Sequence, residues 1–161
     1  MSELSDQAYE LRKLSLTKNA PFDPVSICTG LGIDCYQTDL PKEVRSALIK
    51  EAYKDPIITI HYDDSEHRKR VEVARMLGAY IIHYEHFCEY SKEQNIVSFK
   101  TITESMEEVY ENLYDEFAMH LLMPKPLIVL FRKKHKLDIL LLKEFGVTPE
   151  LLDIWRKHNE V

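Results

Sequence analysis

The fold of this chain is decided by residues 67–83, which read His67-Arg68-Lys69-Arg70-Val71-Glu72-Val73-Ala74-Arg75-Met76-Leu77-Gly78-Ala79-Tyr80-Ile81-Ile82-His83. Apolar residues recur in this stretch at three- and four-residue intervals, which predicts a helix with one buried face. Asp64 or Ser65 can cap the start of that helix, and we expect it to extend to about His86. The buried stripe is expected to contain Val71, Ala74, Leu77 or Gly78, Ile81 and Ile82.

The same helix carries the frame of a zinc-protease motif without its chemistry. In the working motif, H-E-x-x-H, two His one turn apart bind zinc and the Glu between them serves as general base. Residues 74–83 follow the surrounding pattern A-H-E-L-G-H-x-L-L-H, but Arg75, Met76 and Ala79 stand at the three chemical positions. Met and Ala supply no hard ligand or base, and a protonated Arg cannot bind a cation. The sequence therefore predicts a protease fold that has lost its protease chemistry.

Composition indicates one reduced, cytoplasmic domain. The 161 residues include 45% hydrophobic and 30% charged residues, which are ordinary globular values. No apolar run approaches the ~20 residues of a membrane span, and the acidic, polar start is not typical of a secretory signal. The three Cys lack C-x-x-C spacing, which favours buried thiols in a reducing compartment. A net charge of −6 argues against sequence-independent binding of nucleic acid.

The remaining pattern predicts an α+β fold in which a small sheet packs on helices. The helical region after residue 124 is expected to be the C-terminal part of the same compact unit. Strands are expected at residues 33–36, 45–50 and 56–61, joined as a hairpin or meander, and at residues 95–99. Helices are expected at residues 3–18, 24–31 after the cap Asp23, 103–123 after the cap Thr103, 127–136, 137–145 and 148–159.

Five patches in fixed order resemble the ImmA/IrrE family of metallopeptidases. They are Pro21–Ile27 before Leu31-Gly32-Ile33, the strand Ile57–Ile60, the frame from Arg70 to His83, the stretch Glu116-Phe117-Ala118-Met119-His120-Leu121-Leu122-Met123-Pro124, and Phe145–Leu152. The resemblance implies a minimal zincin-like metallopeptidase fold over residues 1–124. It also implies a helical region over residues 125–161 that packs on this fold within a single compact domain.

In working relatives, the helix ending in L-L-M-P supplies a third metal ligand, and that position falls at Leu113. The degenerate active-site positions are therefore Arg75, Met76, Ala79 and Leu113. The resemblance thus leads us to expect no metal, no cofactor and no catalysis, because a catalytic zinc site needs three protein ligands. An alternative is a zinc metallopeptidase with displaced ligands drawn from His83, His86, Glu116 or His120, with Glu111 and Asp115 nearby.

Several of these residues also have simpler interpretations. His83 and His86 form H-x-E-H, one residue short of the inverted motif H-x-x-E-H, so we favour a structural role for them. Arg75 has two open interpretations. It either pairs with Glu116 or Asp115 on the facing helix, replacing a metal cross-link by an ion pair, or it points to solvent through an open cleft.

Residues 140–155 have the spacing of a helix-turn-helix motif. A DNA reader needs basic or amide side chains on its second helix, whereas this one carries Glu150 and Asp153, with Arg156 and Lys157 only at its end. We therefore favour a packing or docking element, and DNA binding through these helices remains the alternative.

Aromatic residues concentrate around the former cleft, as in grooves that bind proteins. The candidate cleft or partner-binding residues are Tyr80, His83, Tyr84, His86, Glu116 and His120. Characterised relatives act on helix-turn-helix repressors. The resemblance therefore implies a non-catalytic regulator that binds a phage or mobile-element repressor, as an antirepressor or immunity modulator. The sequence leaves homo-oligomerisation and the direction of regulation open.

Overall fold

The computed structural model describes residues 3–13, 21–50, 54–84 and 104–159, which form an α+β fold, as predicted. The helices are α1 Glu3–Lys13, α2 Pro24–Gly30, α3 Glu66–Ile82, α4 Glu104–Leu122, α5 Lys125–Lys134, α6 Asp138–Phe145 and α7 Pro149–Asn159. The strands are β1 Asp34–Thr38, β2 Ser46–Ile49 and β3 Ile57–His61. The strand predicted at residues 95–99 and the cap predicted at Thr103 fall outside the described residues. The long helix, which was predicted to extend to about His86, ends at Ile82 with His83 at its C-cap.

Local side-chain chemistry explains several element boundaries. The Ser65 hydroxyl accepts a hydrogen bond of 3.2 Å from the Arg68 N–H, so Ser65 rather than Asp64 caps α3. The Asp23 carboxylate caps α2 by accepting from the Val25 N–H at 3.0 Å, and Pro24 follows at the first helical position. At the other end of the chain, Gly146 terminates α6 with a φ of 63°, a conformation that favours glycine.

The three described strands form one sheet in the order β1-β3-β2. β2 and β3 pair antiparallel, as the predicted hairpin requires, but β1 pairs with β3 in parallel. Of the two predicted alternatives the structure therefore has the hairpin and not the meander, because a meander of the three strands would leave β3 at an edge. The central position of β3 explains why three consecutive residues, Ile58, Thr59 and Ile60, are buried.

Helix α4 packs against three other helices. It packs along α3 on one side and along α1 and α7 elsewhere, while α3 also contacts β2 and β3. The core between α3 and α4 contains side chains that are completely buried, among them Ala74, Leu77, Phe117, Ala118 and Leu121. The α3–α4 pair therefore carries the positions that were predicted to be a degenerate active site.

The C-terminal helices are held to α3 and α4 by hydrogen bonds as well as by packing. The Trp155 indole N–H donates to the Met123 carbonyl at 3.2 Å, and Arg70 Nη1 donates to the Gly146 carbonyl at 2.8 Å. Val147 and Leu151 are buried in the same region. Within the part of the chain that the structure describes, no helix is both long and apolar enough to cross a membrane.

Candidate functional site

The degenerate positions lie where α3 faces α4. Met76 and Ala79 are buried on α3, and Leu113 is partly buried on α4. The Arg75 side chain is only 1% exposed, so it does not point to solvent through an open cleft. A buried guanidinium must be paired to be tolerated, because removing a charge from water is costly.

Three carboxylates surround the Arg75 guanidinium. Its Nη1 donates to Glu72 Oε2 at 2.8 Å, and its Nε donates to Asp115 Oδ1 at 2.7 Å. Its Nη2 donates to Glu111 Oε2 on the same facing helix. Asp115 is one of the two partners predicted for Arg75, and the pairing joins α3 to α4.

Glu72 extends this network from the helices to the sheet. Its side chain is completely buried and accepts a hydrogen bond of 2.6 Å from the Ser46 hydroxyl on β2. Arg45, just before β2, donates to Glu72 Oε1 from Nη2 at 2.9 Å and from Nε at 3.1 Å. We call this set the Arg75 cluster: Arg45, Ser46, Glu72, Arg75, Glu111 and Asp115. Its three carboxylates and two guanidinium groups give a formal charge of −1.

The electrostatics of the cluster keep Glu72 ionised. Burial alone would raise the pKa of Glu72, but the charges of Arg75 and Arg45 and the hydrogen bonds from Ser46 and Arg75 outweigh it. The pKa of Glu72 therefore lies below its ordinary value. A Glu72 that is ionised at neutral pH is a fixed partner for Arg75.

The remaining part of the α3–α4 seam is aromatic. His83 Nε2 lies 2.6 Å from the Tyr114 hydroxyl, and its ring packs edge-on against Tyr110 with centroids 4.7 Å apart. Burial raises the pKa of Tyr114, so its hydroxyl stays protonated and can donate to His83. Tyr80 and Tyr84 also pack edge-on, at 5.6 Å between centroids. His86, the other predicted member of this group, lies outside the described residues.

Glu116 and His120 are placed elsewhere. They lie one turn apart on α4, with His120 Nε2 3.5 Å from Glu116 Oε1, and the His120 ring packs edge-on against Tyr9 of α1 at 6.5 Å. A helix turns by 100° per residue, so Glu116 points well away from Asp115. The structure thus brings Arg75, Asp115 and Glu111 together but directs Glu116 and His120 towards α1.

A family model described as the IrrE N-terminal-like domain, of the peptidase M78 group, matches residues 28–154. The chain belongs to this family. Membership in the ImmA/IrrE family, predicted from the sequence patches, is thereby confirmed for most of the chain.

One solved structure has a fold similar to that of the IrrE-like chain. It is described as a Mycobacterium tuberculosis transcriptional regulator and has a TM-score of 0.65 at 14% sequence identity. The likeness covers 96% of the IrrE-like chain but only 47% of the mycobacterial chain, and at this identity it shows the fold alone. No curated protein matches the chain in sequence.

The residues of this IrrE-like chain do not fit the zinc ion that its peptidase family implies. A cationic guanidinium occupies the position predicted for the first ligand and already binds the nearby carboxylates, so their oxygens are engaged and a guanidinium cannot itself bind zinc. Met76 and Ala79 offer no ligand atoms of the kind zinc prefers. Among residues 3–13, 21–50, 54–84 and 104–159, no group of three His, Cys, Asp or Glu side chains is arranged to hold a metal.

Sequence reasoning missed three members of the Arg75 cluster, namely Glu72, Ser46 and Arg45. One available signal was spacing, since Glu72 and Arg75 stand three apart on a predicted helix and can therefore meet. A second signal was a charged residue inside an apolar stripe, because a Glu between Val71 and Val73 needs a partner if the helix is buried.

Acid should destabilise the wild-type protein more than a Glu72→Gln variant. The folded state lowers the pKa of Glu72, so its charged form contributes stability above the ordinary pKa. That contribution disappears as the pH falls through the lowered pKa. We expect the free energy of unfolding, from urea titrations between about pH 5 and about pH 3, to fall more steeply for the wild type. Glu66→Gln, an exposed carboxylate change on the same helix, should leave the wild-type slope intact. Equal slopes for wild type and Glu72→Gln would contradict the assignment.

Proposed function

We propose that this chain is a non-catalytic regulatory protein that acts by binding a protein partner. The observation that carries the proposal is the position of Arg75. It stands where the family motif has its first zinc ligand, and it is buried on three carboxylates. An ion-pair network there holds α3 and α4 in the same relation as a shared metal would, which keeps the fold while removing the reaction.

The partner class follows from the family and from the structural likeness. The ImmA/IrrE resemblance links this fold to relatives that act on helix-turn-helix repressors. The mycobacterial protein of similar fold is described as a transcriptional regulator. We therefore propose that the partner is a repressor of a phage or mobile element. The chain would occupy it stoichiometrically, as an antirepressor or immunity modulator, without cutting it.

The C-terminal helices offer a surface for such a partner. Five large apolar side chains of α5, α6 and their connection are at least 41% exposed, namely Val129, Leu130, Leu137, Ile139 and Leu140. Ile139 is the most exposed of them, at 71%. Apolar side chains gain free energy when a partner removes them from water, and they cluster in protein interfaces. We call these five residues the α5–α6 surface.

Other uses of these residues are less well supported. DNA binding through α7 is not favoured, because Arg156 is hydrogen-bonded to Asp138 and the helix exposes Glu150 and Asp153. A displaced zinc site is not favoured either, because His83 is engaged by Tyr114 while His120 faces α1.

A pull-down from the native host tests the proposal. The tagged protein, purified in the presence of EDTA, should retain an intact transcription regulator in near-equal amount. The same preparation without chelator should contain zinc far below one ion per chain by mass spectrometry. An Ile139→Glu variant should lose the regulator, whereas Lys143→Glu, an exposed charge change on the same helix, should keep it. A regulator recovered in fragments, or zinc at one ion per chain, would overturn the non-catalytic assignment.

A further inference from the structure

We propose that α1, α4, α5 and α7 form a second ligand site, which binds a small amphipathic organic anion. The ligand class is a carboxylate with an aliphatic or aromatic body. The site lies on the α1 side of α4, away from the Arg75 cluster. It is therefore separate from the cleft that the peptidase family uses, and it shares only Val129 with the α5–α6 surface.

Two adjoining cavities supply the space. The larger one has a volume of about 540 Å³ and is walled by Tyr9, Met119, His120, Met123, Val129 and Trp155, among others. The smaller one, about 350 Å³, lies against Arg12, Lys13, Pro124 and Leu127. Tyr9 and Pro126 line both cavities, so the two spaces meet at these residues. Each volume lies within the range of ordinary small-molecule sites.

Two buried polar atoms face this region without a hydrogen-bond partner among the described residues. One is Arg12 Nη2, whose neighbouring Nη1 already donates to the Leu121 carbonyl at 2.6 Å. The other is His120 Nε2, whose contact with Glu116 is 3.5 Å long and lacks hydrogen-bond geometry. A buried polar atom that is left unpaired costs free energy, and a ligand oxygen that reached Arg12 from the smaller cavity, or His120 from the larger one, would satisfy it. Burial lowers the pKa of His120, so its ring is neutral at pH 7 and either donates or accepts there.

The charges of the lining select an anion. Arg12, Lys13 and Lys125 contribute positive charge, and the described residues that line the two cavities include no Asp or Glu. Lys13 is already paired with Glu10, which leaves Arg12 and Lys125 as the groups that face a ligand. The Arg12 guanidinium is held in place by stacking over the Phe22 ring at 4.3 Å. A positioned guanidinium next to an apolar cavity is well suited to a carboxylate head group.

The body of the ligand would contact the apolar walls. Met side chains adapt to irregular shapes, and Met119 and Met123 lie beside the flat rings of Trp155 and Tyr9. The Met side chains and the Trp155 indole, whose N–H donates to Met123, set no hydrogen-bonding pattern for the body of the ligand, although Ser5 and Asn159 also line the larger cavity. We therefore assign selectivity to the charged head group and to length rather than to a particular ring or chain.

Tryptophan fluorescence reads this site directly, because Trp155 is the single Trp of the chain and lines the larger cavity. Titration of the purified full chain with octanoate should change the Trp155 emission saturably. Octan-1-ol has the same chain without the charge, and it should bind about tenfold more weakly, since it lacks the charge-assisted hydrogen bonds. No saturable change with octanoate, or equal binding of both probes, would overturn the proposal.

Matched variants test whether octanoate binds at this site. Lys125→Met removes a lining cation and should weaken octanoate about fivefold, whereas Lys133→Met, an exposed cation of the same helix outside the lining, should not. Val129 is 44% exposed and lines the larger cavity, so Val129→Phe should fill the space without unfolding the chain. Circular dichroism checks that the variant is folded. Octanoate binding that survives Val129→Phe unchanged would show that the probe binds elsewhere and would also overturn the proposal.

Discussion

Replacing Arg75 with Met should lower the free energy of unfolding by about 3–5 kcal/mol, the cost of leaving a buried charge without its partner. Glu72 would bear most of this loss, because its side chain is completely buried. Glu111 and Asp115 keep 40% and 20% of their side-chain surface exposed and can turn partly to water. A domain of this size is stable by about 5–15 kcal/mol, so the variant would lose a large share of its stability.

Urea unfolding followed by circular dichroism at pH 7 measures this effect. Arg75→Lys keeps the charge but cannot reach three carboxylates with a planar fork, so we expect an intermediate loss. Lys133→Met, an exposed cation change on α5, should change the free energy of unfolding by less than about 0.5 kcal/mol. A loss for Arg75→Met no larger than that of this control would mean that the Arg75 cluster does not hold the two helices together.

A double variant separates the cost of an unpaired buried charge from the cost of lost side-chain packing. Arg75→Met combined with Glu72→Met removes both members of the most buried pair and replaces them by apolar side chains. Such replacement is often neutral, because the desolvation cost of both charges disappears together. We expect the double variant to recover at least half of the stability lost in Arg75→Met. A double variant less stable than either single variant would show that the pair itself is strongly favourable.

The parts of the fold that depend on local chemistry could be predicted from the sequence. Residues that are close in sequence determine the Ser65 and Asp23 caps and the three strands. The structure has these features close to their predicted bounds. The order of the strands could not be predicted in the same way. β2 and β3 are close in the chain and pair as a hairpin, but the parallel pairing of β1 with β3 joins residues 23 positions apart, such as Asp34 and Ile57. Local patterns carry no signal for such a pairing.

The candidate site could also be predicted only in part. The degenerate frame offered pairing with the facing helix as one of two interpretations of Arg75, and Asp115 is its partner there. Glu116 was an equal candidate in the sequence because the two acids are adjacent. One residue is a 100° turn, which sends Asp115 to α3 and Glu116 to the side of His120. To choose between the two adjacent acids, one must know how α4 is rotated about its axis. Packing along the whole helix sets that rotation.

Part of that packing is the close approach of α3 and α4 at Gly78. A Cβ atom built on Gly78 would lie 2.9 Å from both the Cβ and the Cδ1 of Phe117 and 3.0 Å from its Cγ. Phe117 is completely buried, so its ring cannot move aside into water. Glycine is an unfavourable helix residue, by about 1 kcal/mol relative to Ala, and close approach is the compensating gain here. The same approach brings Asp115 and Glu111 within reach of Arg75.

Gly78→Leu is therefore expected to prevent stable folding, and Gly78→Ala to destabilise the protein by up to about 2 kcal/mol. The Ala variant gains about 1 kcal/mol of stability from its higher helix propensity. Its Cβ, however, forces α3 and α4 further apart, and overpacking of this kind costs about 1–3 kcal/mol or more. Gly30→Ala is the matched control, because nothing lies within 4 Å of a Cβ at the end of α2. Urea unfolding for the Ala variants, and soluble yield with circular dichroism for Gly78→Leu, would measure the effects. A soluble, cooperatively folded Gly78→Leu protein would mean that α3 and α4 tolerate a wider separation, and the Arg75 contacts would then have to span it.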